Sequence, residues 1–417
     1  RKQYSLNSFL GPINYSYDDK YLATVSYRAD GSSKFAAQNK WAGFPSFALA
    51  WKINRESFLS NAGSISDLKL RFSYGQTGNQ AIPPYASLSK YTPVPFIFNS
   101  TLYNGYAVNQ PGNNDLRWET TAQFNLGLDF AIRNIISFTV DVYKKKTSDL
   151  LQNVVLPGST GYASQLQNLG AVENKGVELG LNALIINKTF RWRAAANFSL
   201  NRNKILSLGD KQRQFGANVT LNDAPFIQQV GSPIGLLYGY VENGFYNSEA
   251  EVKADPQYAG APDDVVKKMV GEIRYKDLDG VTGITDADRT VIGNTNPKFI
   301  YGLTNSFAYK NFDLSIFIQG SQGNDIINLN TYYMSNLGFP QYGNITQALY
   351  DGRWTPENAA HAVNPKAIAT TDRSFKFSRR FIENGSYVHI KNINLGYQIN
   401  FRESKYISSL RLFLSAA

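Results

Sequence analysis

The sequence predicts an all-β protein, namely an antiparallel transmembrane β-barrel with long extracellular loops. Two features support this fold class: side chains alternate between apolar and polar along many segments, and the connections between those segments alternate between short and long. A helical membrane protein is excluded, because no stretch approaches the ~18–20 consecutive apolar residues of a spanning helix.

Period-two alternation defines the strands. In residues 124–130 every even position is apolar and every odd position is small or polar, and the segment 192–200 follows the same rule. Successive side chains of a strand point to opposite faces, so each segment has one apolar and one polar face. A half-buried sheet of a soluble protein would show the same pattern. In a barrel, the polar positions expected to line the lumen include Asn125, Asp129, Glu178, Arg193 and Asn197.

About twelve strands are predicted from this pattern. Each is followed by turn residues or by a long polar connection. In chain order the predicted strands are 5–17, 21–29, 44–53, 68–75, 119–130, 135–145, 174–186, 190–203, 298–309, 312–319, 386–400 and 409–417.

The connections distinguish a membrane barrel from a soluble sandwich. Short turns and one moderate connection lie at 18–20, 54–67, 133–134, 187–189 and 310–311. They alternate with a loop from Gly31 to Gly43 and with long connections at 76–118, 146–173, 204–297 and 320–385. Outer-membrane barrels have short periplasmic turns and long extracellular loops. We therefore expect the first strand to run toward the periplasm and 204–297 to be a large extracellular loop insertion.

The composition excludes several other classes of protein. The chain has no cysteine, which rules out a disulfide framework and a thiolate metal site. The formal net charge is +10, but the basic residues are scattered and only Lys144, Lys145 and Lys146 form a run. A nucleic-acid surface needs a clustered basic face, so we expect solvated rims and loops and no nucleic-acid partner. The 26 Tyr and 26 Phe suit membrane interfaces.

The sequence contains no recognisable catalytic motif, and no enzymatic activity is expected. His361 and His389 are the only histidines, and neither has a second histidine at metal-ligand spacing. The zinc-protease, phosphate-loop, dinucleotide-binding and hydrolase-elbow motifs do not occur.

Seven short segments of the chain have distinctive sequences. Two of them are the R-A-D-G-S-S-K-F segment at 28–35 and the S-Y-G-Q-T-G-N segment at 73–79. The others lie in order along nearly the whole chain: 41–46, 143–151, 174–179, 353–358 and 385–393. This ordered set of segments resembles the SusC/RagA family of TonB-dependent outer-membrane transporters.

The resemblance implies an architecture and a function. It implies a barrel of about 22 strands, of which this chain would supply about twelve. It also implies an N-terminal plug with a TonB-contacting segment, a lid lipoprotein of the SusD type, and contact with outer-membrane lipid. We expect residues 1–417 to be a barrel portion without the plug and the final strand, located in the outer membrane of a Gram-negative, Bacteroidetes-like bacterium. The expected function is TonB-dependent import of oligosaccharides or peptides.

Other functions are compatible with a β-rich chain. One is a passive porin or a surface glycan-binding barrel protein, although the ordered family motifs argue against a porin. Another is a soluble β-rich protein that binds or degrades glycans, which a detergent-free soluble product would favour.

Aromatic residues in two long connections are candidates for substrate binding. Aromatic faces stack on sugar rings or cover peptide side chains, and neighbouring amides supply hydrogen bonds. The alternative is that these rings pack the loops against each other or against a lid. The candidates are Tyr85, Tyr91, Phe98, Tyr103, Tyr332, Tyr333 and Tyr342.

A degenerate calcium loop is the only candidate metal site, and no other cofactor is expected. Asp277, Asp279 and Asp288 occupy positions 1, 3 and 12 of an EF-hand-like loop. Val281 replaces the usual ligand at position 5, and Thr282 replaces the glycine at position 6. The sequence is therefore compatible with a structural calcium ion and with a rigid turn that binds none.

Overall fold

The chain forms two compact units, which are described separately. The computed structural model describes residues 3–216, 224–334, 346–367, 376–401 and 406–416, with the backbone alone for 332–334. Unit 1 consists of Arg1–Gln212, Phe299–Gly320 and Val388–Ala417. Unit 2 consists of Arg213–Lys298 and Ser321–Tyr387.

Strands are the main elements of both units. In chain order they are β1 (Leu6–Tyr17), β2 (Tyr21–Ser32), β3 (Trp41–Lys52), β4 (Ile65–Asn79), β5 (Lys90–Phe98), β6 (Thr101–Gln110), β7 (Glu119–Ile132), β8 (Ile136–Ser148), β9 (Leu151–Val155), β10 (Ser164–Asn168), β11 (Ala171–Asn187), β12 (Phe190–Ser207), β13 (Arg213–Phe215), β14 (Phe226–Gln229), β15 (Leu236–Gly239), β16 (Glu242–Phe245), β17 (Ile273–Tyr275), β18 (Thr290–Asn294), β19 (Phe299–Tyr309), β20 (Phe312–Gln322), β21 (Asp325–Ile327), β22 (Ile382–Asn384), β23 (Tyr387–Asn400) and β24 (Ser409–Ala416).

The helices are short. The α-helices are α1 (Glu249–Ala254), α2 (Asp263–Met269), α3 (Leu329–Met334) and α4 (Gln347–Asp351). Single 3₁₀ turns lie at Ala37–Asn39, Ile53–Arg55, Ser57–Leu59, Gly158–Thr160, Pro256–Tyr258, Asp286–Asp288 and Arg379–Phe381. Among the described residues, no helix is both long and apolar enough to cross a membrane.

An antiparallel sheet of twelve strands is the framework of unit 1. Its order is β1-β2-β3-β4-β7-β8-β11-β12-β19-β20-β23-β24, so each strand lies beside the preceding strand of the sheet along the chain. The predicted fold class and the twelve predicted strands are confirmed. Several strands run further than predicted, since β4 continues to Asn79 and β12 to Ser207. Ladder hydrogen bonds continue there after the apolar alternation has ended.

Two hairpin turns of the sheet show why their connections are so short. Asp18 and Asp19 have φ of 51° and 48°, and Arg133 and Asn134 have φ of 47° and 54°. Consecutive left-handed residues are typical of type I′ turns, whose twist matches that of the flanking strands. Asn and Asp tolerate this conformation better than most other residues. The local sequence therefore determines which strands pair through tight hairpins.

The two faces of the twelve-stranded sheet differ in chemistry. Large apolar side chains on one face are exposed, for example Leu126 at 50% and Val142 at 47%. Acidic side chains on the opposite face are more shielded, since Asp129 and Asp141 are 16% and 25% exposed. A sheet in water would bury the apolar face instead. This distribution fits a sheet whose apolar face contacts lipid and whose polar face is turned inward.

Aromatic side chains lie where the apolar face meets the short connections. The rings of Tyr21 and Trp51 stack with centroids 6.4 Å apart. The Tyr21 hydroxyl and the Trp51 indole N–H both donate to Glu56 Oε1, at 2.6 Å and 2.9 Å. These two hydrogen bonds lower the pKa of Glu56 below its ordinary value. Such rings, apolar on one side and hydrogen-bonded on the other, form the aromatic girdle expected at a membrane interface.

A small apolar core lies among the connections of unit 1. Trp118 packs on Phe35 and Phe44, with ring centroids 5.4 Å and 5.8 Å away, and its indole N–H donates to the Lys40 carbonyl. The buried residues of this core are Phe35, Phe44, Ile82, Ala86, Leu116 and Trp118. These long connections are therefore packed structures, not loose loops. The β5–β6 and β9–β10 hairpins belong to them.

Unit 2 has its own small sheets and its own core. Strands β13, β14, β15 and β18 form one sheet, and β16–β17 and β21–β22 form two ribbons. The buried core contains Leu237, Ile273, Ile292, Phe377 and Phe381. This core joins residues of two connections that are distant in sequence. Trp354 adds a further link, since its indole N–H donates to Asn247 at 2.9 Å.

Candidate functional site

The polar face of the twelve-stranded sheet holds a groove of about 540 Å³. It lies across β7, β8, β11 and β12. Register places Asp141 opposite Glu178, and Lys145 opposite Gln123 and Asn174. Polar groups on neighbouring strands are therefore side by side. The lining residues are Gln123, Asn125, Asp141, Tyr143, Lys145, Asn174, Glu178 and Asn201.

An ion-pair network borders this groove. Arg71 donates from Nε and Nη2 to the two carboxylate oxygens of Asp129, at 2.9 Å and 2.8 Å. Arg71 Nη2 also donates to Asp141 at 3.1 Å, and Lys69 Nζ is 2.8 Å from Asp129. Asn125 donates to Asp141 at 2.9 Å. The bidentate geometry fixes these side chains, and two cations neutralise two carboxylates on this part of the polar face.

Two glycines allow the side chains of this network and groove to lie flat on the sheet. A Cβ at Gly127 would lie 2.6 Å from Arg71 Cζ and from Asp141 Oδ1. A Cβ at Gly176 would lie 2.6 Å from Tyr143 Oη and would overlap the Leu200 carbonyl oxygen. The Tyr143 hydroxyl then reaches Asn201 and donates to its Oδ1 at 3.2 Å. The sequence thus places glycines directly beneath the longest polar side chains.

Several groups in the groove are not engaged by the protein itself. The side-chain Oδ1 of Asn125 is buried and accepts no hydrogen bond. Gln123, Lys145 and Glu178 make no side-chain hydrogen bond or ion pair among the described residues. A buried acceptor without a partner is costly unless water or another molecule satisfies it. The groove therefore offers a carboxylate, an ammonium group and amides to a polar molecule.

The remaining inward-facing candidates lie on the same polar face. Asn197 lies against Gly302 of the neighbouring strand β19. Arg193 lies with Arg191 and Asp313 beside a smaller cavity of about 250 Å³. Asp313 accepts from Arg411 Nη2 at 2.6 Å. Polar groups thus continue across the sheet as far as β24.

The predicted aromatic candidates of the 76–118 connection do not form one cluster. Phe98 and Tyr103 lie on one face of the β5–β6 ribbon, with ring centroids 6.5 Å apart. Tyr91 lies on the other face, because it pairs with Val108 while Phe96 pairs with Tyr103. Tyr85 precedes the ribbon, with φ of 63°. All four predicted side chains are exposed.

The candidates of the 320–385 connection are only partly described. Tyr332 and Tyr333 lie in helix α3, of which the backbone is known there. Tyr342 lies outside the described residues. These three candidates therefore remain predictions.

The predicted calcium loop brings its three aspartates together. One carboxylate oxygen from each of Asp277, Asp279 and Asp288 lies within 4.8 Å of the others. Each also closes the turn: Gly280 N–H donates to Asp277, Val281 N–H to Asp279, and Leu278 N–H to Asp288, all within 2.8 Å. These residues could hold a cation, and they equally form a turn stabilised by its own hydrogen bonds.

Asp288 is the buried member of this turn. Burial raises its pKa, but hydrogen bonds from the backbone N–H groups of Thr285, Leu278 and Asp279 outweigh that effect and hold the pKa below the ordinary value of an aspartate. Thr285 and Asp288 cap the 3₁₀ turn Asp286–Asp288 reciprocally. The carboxylate is therefore charged at neutral pH and satisfied by backbone donors.

The ion-pair network is not evident from the sequence alone. Arg71 and Asp141 each occupy an ordinary polar position of an alternating strand. The strand register shows the network, because Arg71 lies opposite Gly127 and Gly127 lies opposite Asp141. The two charged side chains therefore meet over the glycine. Opposite charges on the same polar face of strands β4, β7 and β8 would have predicted it.

An exposed apolar face, a shielded polar face, an aromatic girdle and hairpins of strictly sequential order define a transmembrane β-barrel wall of the outer membrane. The chain belongs to the TonB-dependent receptor family. Residues 1–416 match the family described as "TonB dependent receptor-like, beta-barrel". The predicted family and location are thereby confirmed.

Named relatives and a solved structure agree with this assignment. The chain is 37% identical to TonB-dependent receptor P3 of Formosa agariphila, over 98% of this chain and 40% of that protein. It is 33% identical to TonB-dependent receptor SusC of Bacteroides thetaiotaomicron, over 94% of this chain and 38% of that protein. A chain in the structure of the RagAB peptide transporter matches with a TM-score of 0.84 and 27% identity, over 99% of this chain and 43% of that one. The chain thus spans about two fifths of these relatives.

Proposed function

We propose that the protein containing this chain imports oligosaccharides or peptides across the outer membrane in a TonB-dependent way. Its similarity to a SusC receptor and to the RagAB peptide transporter supports this class of substrate. The observation that carries the proposal is the groove on the polar face, which combines an unsatisfied buried acceptor with a free carboxylate and a free ammonium group.

The polar face would act as the wall of the transport path. Many of its charged side chains are paired with opposite charges, for example Lys69 and Arg71 with Asp129 and Asp141. This part of the wall therefore presents hydrogen-bonding groups without a strong positive or negative electrostatic potential. A solute could exchange hydrogen bonds with water for hydrogen bonds with amides along this wall. Weak, repeated contacts of this kind favour passage over tight binding.

The partners follow from the same proposal. A SusD-like surface lipoprotein would capture the substrate together with the long connections of the barrel. The TonB complex would supply the pull through a segment of the protein outside this chain. Transport without covalent chemistry fits a chain in which no catalytic motif occurs, and we infer that its role is import and not catalysis.

The exposed aromatics of the β5–β6 ribbon are the proposed capture residues. Phe98 and Tyr103 present one apolar face, at 68% and 46% exposure, and Tyr91 presents the other at 65%. Two variants, Tyr91→Ala and the double substitution Phe98→Ala/Tyr103→Ala, test which face of the ribbon contacts substrate. Loss of uptake in only one of these variants would identify the face that carries the substituted residues. Unchanged uptake in both variants would exclude the ribbon from capture.

Uptake by cells tests the central proposal. The full-length protein is expressed in a strain that lacks it, with and without an intact TonB gene, and labelled maltooligosaccharides and labelled oligopeptides are offered separately. We expect one class to enter only with TonB, and Glu178→Gln or Lys145→Gln to reduce that uptake severalfold. Uptake that persists without TonB would instead identify a passive porin.

A further inference from the structure

A group of basic side chains lies on the apolar face of the sheet, at the ends of three neighbouring strands. All are exposed, and all lie on the same face of the sheet as the lipid-facing residues Val142, Val177 and Leu200. We call this group the basic patch. It consists of Lys144 and Lys146 on β8, Lys175 on β11, and Arg202 and Lys204 on β12.

Strand register arranges the basic patch in two rows. In the first row Lys175 pairs with Lys144 on one side and with Arg202 on the other. In the second row Glu173 pairs with Lys146 and with Lys204. Directly opposed side chains of an antiparallel pair have Cβ atoms about 4.5–5.5 Å apart, so the three cations of the first row repel each other, whereas Glu173 lies between two cations in the second row.

Among the described residues, the lysines of the basic patch have little compensating negative charge. Glu173 is the one acid in the two rows, and it lies 3.0 Å from Lys144 Nζ. Lys146, Lys175 and Lys204 have no ion-pair partner among the described residues. These three lysines add positive charge to an otherwise apolar surface, which is costly unless a further anion lies beside them.

The residues beside the patch indicate the kind of anion. The next row of the same face is apolar and contains Leu126, Val142, Val177 and Leu200, and Phe124 lies opposite Lys144 with 49% exposure. The face thus changes from an aliphatic row to a neighbouring row that holds one aromatic and three cationic residues. Phosphates lie next to acyl chains in the same way at the membrane interface of a lipid.

The patch occurs at one end of the strands only. It adjoins the long connections that follow β8 and β12, which are extracellular loops in barrels of this class. At the short-turn end, the same face of these strands carries Ile136, Phe138 and Trp192. The charge is therefore placed at the outer leaflet and not at the inner one.

We propose that the basic patch binds the phosphate groups of a phosphorylated glycolipid of the outer leaflet, with the acyl chains lying on the apolar rows beside it. The lipid would neutralise Lys146, Lys175 and Lys204 and would hold this sector of the wall at a fixed height in the membrane. This site is separate from the transport path, because it lies on the opposite face of the sheet.

Lipid retention by the purified full-length protein tests this proposal. Native mass spectrometry measures the protein with diphosphoryl lipid A, with the same lipid A after phosphatase treatment, and with inorganic phosphate as competitor. The test variant is K146Q/K175Q/K204Q. Lys145→Gln, the adjacent residue on the opposite face, and Lys188→Gln, at the short-turn end, are matched controls. The conservative variant K146R/K175R/K204R keeps the charge.

We expect the triple glutamine variant to retain lipid A roughly a hundredfold more weakly, since each basic residue near a charged lipid surface contributes a factor of about five. The arginine variant and both controls should retain it as the parent does, and dephosphorylated lipid should bind weakly to all. Equal loss in Lys145→Gln, unchanged retention in the triple variant, or displacement by millimolar inorganic phosphate would overturn the proposal. Heat-modifiable migration in gels confirms that each variant is folded.

Discussion

At the scale of single residues, Arg71 organises the inner face of the sheet, because it bridges Asp129 and Asp141 and is only 30% exposed. Replacing it by methionine leaves two shielded carboxylates without their main partner. We expect Arg71→Met to destabilise the full-length protein by ~1–3 kcal/mol in urea titration.

A second arginine provides the comparison for Arg71. Arg117 pairs with Asp149 at 2.6 Å, but its side chain is 55% exposed. Exposed ion pairs contribute little, so Arg117→Met should cost less than ~1 kcal/mol. Equal effects of the two substitutions would show that shielding on the polar face adds nothing to the Arg71 network.

The turn of Asp277, Asp279 and Asp288 also belongs to this scale. Each of the three carboxylates accepts a hydrogen bond from a backbone N–H group, so we expect the turn to be as stable in EDTA as in millimolar calcium. Calorimetric titration that shows calcium binding, or a rise in unfolding temperature with calcium, would show instead that the turn is an ion site.

The pH dependence of the same turn has a definite sign. The pKa of Asp288 is depressed by folding, so the stability it contributes is present above the ordinary aspartate pKa and is lost as the pH falls through the folded value. Asp288→Asn removes this acid-sensitive part and should flatten the stability profile of unit 2 below about pH 4.

At the scale of elements, the close approach of β11 to its neighbours depends on Gly176. A side chain there would overlap the Leu200 carbonyl oxygen and displace Tyr143. We expect Gly176→Ala to destabilise the protein by ~1–3 kcal/mol, whereas Gly11→Ala on β1, where a Cβ would contact nothing within 4 Å, should be neutral or slightly stabilising. Equal effects would mean that β11 shifts without cost.

A shielded ion pair joins the two connections within the described part of unit 2. Arg380 binds Glu242 with two hydrogen bonds of 2.7 Å, and their side chains are 12% and 19% exposed. Arg380→Met should therefore cost about 3 kcal/mol and expose 213–298 and 321–387 to protease together. Lys253→Met, which removes an exposed pair with Asp263, is the control. Cleavage of one connection alone would show that the two fold independently.

The sequence predicted the membrane strands because each satisfies a local rule. Alternation identified β7, β8 and β12, and tight turns such as Arg133–Asn134 determined which strands pair. It did not predict the β5–β6 ribbon, because apolar residues occupy both of its faces and Pro93 and Pro95 interrupt the pattern.

Long-range contacts account for the rest of what was missed. Unit 2 forms from two connections that meet only in three dimensions, as the Trp354–Asn247 and Arg380–Glu242 hydrogen bonds show. Register, which a single sequence specifies only weakly, brings Arg71 beside Asp141 and aligns the basic patch. The residue type of an aromatic side chain does not specify its direction, and only the register shows that Tyr91 faces away from Tyr103.

At the scale of the whole molecule, the central claim is that one face of the sheet contacts lipid and the other lines a polar interior. The chain has no cysteine, so single cysteines can be spin-labelled once any cysteines elsewhere in the full-length protein are replaced. Labels at Phe124, Leu126 and Leu128 should collide with oxygen dissolved in the membrane, and labels at Gln123 and Asn125 should not.

The decisive measurement is how the oxygen collision rate of the spin labels varies from residue to residue along β7 in the reconstituted full-length protein. We expect a strict two-residue alternation, with oxygen contact at the even positions. Accessibility without alternation, or alternation in the opposite sense, would contradict the assignment of the two faces and with it the proposed transport path.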